Sequence, residues 1–366
     1  MTGPGARMRV PASARVALLA ATVVAIQLAT QASGKGFYLT QLTMTAYYAL
    51  VVVGLSLLMG YAGQISLGQA GFFTIGGYAA AFLSTVDLTA QASLPAPALL
   101  TRLGLLVIRP DLYGGQTLGV NPWAGLVLGV SLASGVAFAV GVPVLRLRGH
   151  YLAMATLAFG TIVSAVVVGT QRLGAADGIS GVPPFPILPG VRIGGGAADR
   201  VVNYYVAWGL LALAMLLLGN LVRSRTGRAL RAIHGAEDAA RAMGVDAARL
   251  KVRVFVLAAA MASAAGVLLT HYVGGIGPSE SSAMKSVRYV AMVAVGGMGS
   301  LWGALSAAAV LEFLSLRGVF GAHDDAVFGG ILLAVMLFAP DGILTFRARA
   351  LLARLRGRPA GSGEGA

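Results

Sequence analysis

Three groups of residues in this 366-residue chain have the type and spacing to do chemistry. The first lies in the polar stretch 223–253, where Glu237, Asp238, Ala239, Ala240 and Gly244 form the order E-x-A-A-x-x-x-G. Acidic residues at the start of an Ala-rich turn suit the positive end of a helix dipole, and the glycine suits its stop. The chemistry on offer is docking by an exposed helix of about two turns. Composition alone favours a solvated amphipathic segment lying along a membrane surface.

The second group is Gln64, Ser66 and Gln69, set among six glycines between Gly60 and Tyr78. Small residues let helices approach closely while polar side chains bond across them, which is a packing role. A broken helix whose ends and amides face a polar solute is the other reading, and it makes these residues part of a translocation pathway. The stretch GGMGSLWGALSAAA from Gly296 has a similar texture, without enough identity to define a repeat.

The third group is Glu312, a carboxylate within the apolar run LSAAAVLEFLSL. In a membrane it must face protein or water if ionised. It reads as a hydrogen-bonded or protonated interior group, or as a proton relay with His271 as its histidine companion. No Ser/His/Asp set, catalytic carboxylate pair or metal cluster follows from the spacing, so the chain reads as non-catalytic. The absence of cysteine excludes disulfides and thiolate chemistry. None of its three lysines, Lys35, Lys251 and Lys285, follows the phosphate-cradling pattern G-x-x-x-x-G-K-[ST]. The chain therefore carries no cofactor, and any ATP and Mg that drive it are bound by another subunit.

The elements that must position these groups belong in a bilayer. Residues are 57% hydrophobic and 11% charged, with a mean hydropathy of +0.81. A soluble domain would carry about 25% charged residues. The fold class expected is an all-α polytopic membrane protein with broken, Gly-rich helices and about ten transmembrane segments, judged against the roughly 20 residues a crossing needs. They fall at 16–32, 39–59, 70–86, 122–145, 150–170, 203–222, 254–273, 287–299, 301–317 and 326–343. The eighth and ninth are split by the Gly-rich turn 296–303 and are short, so a tight hairpin or a re-entrant pair fits.

Charge sets the orientation. With a cytoplasmic amino terminus, Arg7, Arg9, Arg15, Arg146, Arg148, the 223–253 segment and the five arginines of the tail share one side, and the count must be even. Acidic residues including Asp87, Asp177, Glu280, Asp324 and Asp325 then fall on the opposite face. The net charge of +14 is a topology signal and an affinity for the headgroups of membrane lipids, and calls for no nucleic acid. The membrane domain spans 1–345, with external loops at 87–121 and 171–202 and a basic, flexible cytoplasmic tail at 346–366. The first span is expected to remain uncleaved despite the small residues that follow it. Spaced prolines in GISGVPPFPILPG bar regular helix from the second loop.

Motifs in fixed order cover most of 39–345: GYAGQISLGQAGFFTIGGYAAA from Gly60, RLRGHYLAMATLAFGTI from Arg146, DGISGVP from Asp177, GRALRAIHGAEDAARAMG from Gly227, VGGMGSLWGALSAAAVLEF from Val295 and LFAPDGI from Leu337. Together they resemble the branched-chain amino acid ABC transporter permease family, and within it the LivM-type subunit. The resemblance implies an importer in the bacterial plasma membrane, pairing this chain with a LivH-type second permease, two ATPase subunits and a periplasmic or lipid-anchored binding protein. Glu237, Asp238, Ala239, Ala240 and Gly244 would then be the coupling helix that docks in the ATPase, with Arg228 and Lys251 anchoring its ends. The external motif 173–178 departs from the family's usual Thr-Gly-Gly and the loop 87–121 is long, so urea, amides or another small polar solute stand as alternative cargoes. A proton-coupled secondary transporter is the competing class.

Overall fold

The computed structural model describes residues 12–86, 89, 106–110, 116–147, 149–188 and 190–339. The tail 346–366, most of the loop 87–121 and the last residues of the tenth expected span lie outside them. The helices are α1 (Ala12–Ala32), α2 (Phe37–Ala62), α3 (Gln69–Thr85), α4 (Pro122–Val144), α5 (His150–Gly169), α6 (Arg200–Arg223), α7 (Arg225–Gly235), α8 (Glu237–Ala242), α9 (Ala247–Val273), α10 (Ala283–Gly296), α11 (Leu301–Leu316) and α12 (Asp324–Phe338).

α2 is apolar on every side, and a helix with no polar face belongs in the centre of a bundle. Its most apolar 18-residue window is 94% buried, against 28% for α4 and for α5, which turn Val127, Leu132, Phe138, Ile162 and Val166 outward. α9 packs on α3, α4 and α2, while α2 also packs on α11 and α6. Glycines set the closest of these approaches. A Cβ on Gly76 of α3 would overlap Ser263 of α9, and one on Gly266 would overlap the Phe73 carbonyl. The Ser263 hydroxyl also donates to the Gly129 carbonyl of α4 at 3.1 Å, fastening a third helix to the same point.

Among the described residues, seven helical segments are long and apolar enough to cross a membrane: α1, α2, α4, α5, α6, α9, and α12 with the turn before it. α3, α10 and α11 have 17, 14 and 16 residues. At 1.5 Å per residue they reach only about 21–26 Å, short of about 30 Å of hydrocarbon. For α3 the shortness has a cause in the interior. α3 starts after the non-helical segment 63–68, where the Leu67 N–H donates to Thr156 Oγ1 of α5 and the Ala70 N–H to Ser286 Oγ of α10. Irregular chain is tolerated at membrane depth only where protein meets its backbone groups in this way.

Small antiparallel ladders add strands to the all-helical expectation. β1 (Leu106–Pro110) pairs with β2 (Gln116–Val120), β4 (Phe185–Leu188) with β5 (Val191–Ile193), and β3 (Ile179–Ser180) with β6 (Gly275–Ile276). Pro186 thus falls in the strand β4, in extended chain. Trp123 Nε1 donates to the Pro186 carbonyl at 2.9 Å, and the buried Phe185 ring packs edge-on against Trp123 and His271.

Overpacking a filled interface costs about 1–3 kcal/mol. Gly266→Leu is expected to lower the yield of monodisperse protein and its thermal midpoint in detergent, whereas Gly209→Leu, with open space around it, leaves both unchanged.

Candidate functional site

The site is built around the break between α2 and α3. α2 stops because Gly63 adopts the left-handed conformation at φ 67°, and the Gln64 N–H closes the turn by donating to the Leu58 carbonyl at 3.1 Å. The next five residues cross the interior without helix. Gln64, Ser66 and Gln69 are at most 2% exposed. Ser66 Oγ accepts from the Gly68 N–H at 3.5 Å, but neither the oxygen nor the nitrogen of Gln64 or Gln69 has a hydrogen-bond partner among the described residues. An orphaned buried amide atom costs about 1–3 kcal/mol, so such atoms call for water or a solute. The glycines of this stretch pack helices together; the two glutamines are left with bonding capacity that packing does not use.

A second polar cluster, which sequence reasoning missed, lies beside Tyr48 near the middle of α2. The Tyr48 hydroxyl donates to Glu280 Oε1 at 2.8 Å, and Lys285 Nζ donates to the same oxygen at 3.2 Å while standing 4.3 Å from the Tyr48 ring centroid. Glu280 Oε2 and the hydroxyls of Tyr289, Tyr78 and Thr74 are buried without partners among the described residues. Glu280, expected on the face opposite the basic segments, is tucked against a core helix. The signal was present in GGIGPSESSAMK, a Gly/Pro-broken stretch with opposite charges ahead of an unusually short apolar run. Asp324 and Asp325 likewise bind Arg288 of α10, at 3.0 and 2.5 Å.

Glu312 is 2% exposed on α11, and the charged groups acting on it are Lys285, Glu280, Arg288 and Asp324. His271 is engaged elsewhere, its Nδ1 lying 2.7 Å from the Pro183 carbonyl under the β4–β5 hairpin. The two residues weighed as a relay are therefore attached to different parts of the bundle.

The polar stretch 223–253 folds as two helices. α7 is amphipathic, with Gly227, Leu230 and Ile233 buried against the ends of α2 and α6, and Ser224 capping it. Arg228 donates to the Arg223 carbonyl at 3.4 Å and so belongs to α7, away from the helix it was expected to anchor. α8 is a six-residue helix pinned on one side by Ala240, which packs with Ile233 and Ala247. Its first residue is the fixing point: Glu237 accepts from Arg241 at 2.7 Å and from Lys251 of α9 at 2.5 Å. Asp238, Ala239 and Gly244 are exposed, and Gly244 ends the turn at φ 83°. Met243, not singled out from sequence, is 85% exposed at the tip. Also on α7, the partly solvent-facing His234 ring lies against Gly63, where the break begins.

A multi-pass helical bundle with a polar break through its interior is the class of a membrane permease. The family model for the permease component of branched-chain amino acid transport systems matches residues 37–340, and the chain belongs to that family. It is 32% identical over 323 residues to the high-affinity branched-chain amino acid transport permease LivM of Salmonella typhimurium, covering 82% of this chain and 68% of that one. Identity to LivM of Escherichia coli K12 is 30% over the same shares, and to the permease BraD of Pseudomonas aeruginosa 26%, covering 83% and 93%. No solved structure matches the chain.

Glu237 and Lys251 side chains are 15% and 10% exposed, so removing one leaves the other charge poorly solvated. Lys251→Gln is expected to loosen α8 locally, read as amide exchange across 237–243 faster by about tenfold, with α2 and α9 protection unchanged.

Proposed function

We propose that this chain is the LivM-type half of an ATP-driven importer for branched-chain, hydrophobic amino acids. The observation that carries the reading is the pair of orphaned amides, Gln64 and Gln69, in a helix break whose first residue touches the helical unit bearing α8. Polar capacity in the interior supplies contacts for a zwitterion in transit, and Ser66 lines the same passage. Glu312, with Lys285 and Glu280 around it, contributes polar lining deeper in the bundle.

In this reading both termini and the α7–α8 elbow face the cytoplasm, ten segments enter the membrane, and the β hairpins face a binding protein outside. The chain hydrolyses no ATP itself. α8 enters a cleft of an ATPase subunit, with Asp238, Ala239 and Met243 as the contact face and Gly244 turning the chain back. A second, LivH-type permease completes the passage and receives the other ATPase. ATP binding draws the two docking helices together and changes which side of the membrane the passage opens to.

Gly244→Trp forces a side chain into a left-handed position and crowds the docking face. The reassembled complex in proteoliposomes should then hydrolyse ATP with labelled leucine uptake reduced by about tenfold or more, while membrane insertion persists; normal uptake would sink the assignment of α8. Gln64→Leu and Gln69→Leu should lower uptake per assembled complex. A fall in abundance with unchanged uptake per complex would make both residues structural, and uptake driven by a proton gradient from the chain alone would favour the secondary-transporter class.

A further inference from the structure

Where the end of α4 meets the start of α9, a groove of about 640 Å³ opens on the outer surface of the bundle, close to α8. Its apolar wall is Phe138, Val142, Leu145, Val252 and Val256, and Phe138 and Val142 are 59% and 39% exposed. Among the described residues its polar rim is cationic: Arg146, Arg241, Arg249, Lys251 and Arg253 line it, and no carboxylate among them does. Arg241 and Lys251 are engaged by Glu237 and Arg249 by Asp246, whereas Arg146 and Arg253 make no ion pair among the described residues. An apolar trough that ends in unneutralised guanidinium groups at the edge of the membrane-crossing helices matches one ligand chemistry, an acyl chain carrying an anionic headgroup.

We propose that this groove binds an anionic phospholipid of the inner leaflet. Its acyl chain lies on Phe138, Val142 and Val256, and its phosphate sits between Arg146 and Arg253. The site adjoins the two cations that hold Glu237, so the bound headgroup competes with that carboxylate for Lys251 and Arg241. Lipid occupancy thereby tunes how firmly α8 is held. Placing the groove in the inner leaflet rests on the proposed orientation, and the effect on α8 rests on its proposed docking role; binding itself requires neither.

The test is lipid retention by the purified full-length chain and by the assembled complex in nanodiscs of phosphatidylglycerol and phosphatidylcholine, read by native mass spectrometry. The wild-type chain should retain phosphatidylglycerol preferentially. The double variant Arg146→Gln, Arg253→Gln should weaken that preference by about thirtyfold, as two lost cations at a membrane surface imply. Val142→Trp, which fills the trough without changing charge, should weaken it as well, and Arg192→Gln on the exposed β4–β5 hairpin should not. Equal retention by the wild type and the double variant would overturn the proposal. So would preferential retention by the isolated chain that vanishes in the complex, since another subunit would then cover the groove. Neither failure bears on uptake by the Gly244→Trp complex, which judges the docking role separately.

Discussion

Glu237 is bonded to Lys251 at 2.5 Å and to Arg241 at 2.7 Å, and through that one carboxylate the shortest α-helix among the described residues is tied to a 27-residue one. α9 carries Lys251 at its start and then packs along α3, α4 and α2. A six-residue helix has too few internal hydrogen bonds to be stable alone. Ala240 in its small apolar pocket and the shared carboxylate supply what the backbone cannot. α8 can therefore be exposed on its outer face and still be rigid enough to transmit a displacement.

From that clamp two physical routes lead to the interior. One runs along α9 to the Gly76 and Gly266 contacts, where α3 approaches so closely that a movement of α9 must carry α3 with it. The other runs through α7, whose His234 ring abuts Gly63 at the end of α2. Both converge on 63–68, the non-helical chain that holds Gln64 and Ser66. In the proposed mechanism this convergence is how work done on α8 reaches residues that face the solute. The break itself is held by hydroxyls lent from α5 and α10, Thr156 and Ser286, so two further helices help specify it.

Much of this was legible in the sequence because the signals are local. Composition gave the membrane class, and the spans at 39–59, 122–145 and 254–273 overlie α2, α4 and α9. Gly60 to Tyr78 announced a broken, polar segment, and E-x-A-A-x-x-x-G marked the helix that became α8. What was not legible depends on contacts far apart in the chain. Glu280 looks like an external loop residue until Tyr48, 232 positions away, is seen to receive it. Arg228 and Lys251 look equivalent as flanking cations, yet only Lys251 returns to Glu237 once the chain has turned at Gly244. Short apolar runs such as 287–299 were ambiguous because a helix that starts inside the protein has no length to match against a bilayer.

In the proposed mechanism the 63–68 segment lines a passage whose access is governed through α8. The chain contains no cysteine, so Ser66→Cys, a near-isosteric change at a buried position, gives a single reporter in the middle of that segment. Its rate of modification by a small, water-soluble thiol reagent would be followed in the reconstituted complex without nucleotide and with ATP locked in place. The account predicts that water reaches the position and that the rate differs between the two states, with the difference lost when Gly244→Trp is added. A thiol that never reacts, or reacts at one rate whatever the nucleotide, would contradict it.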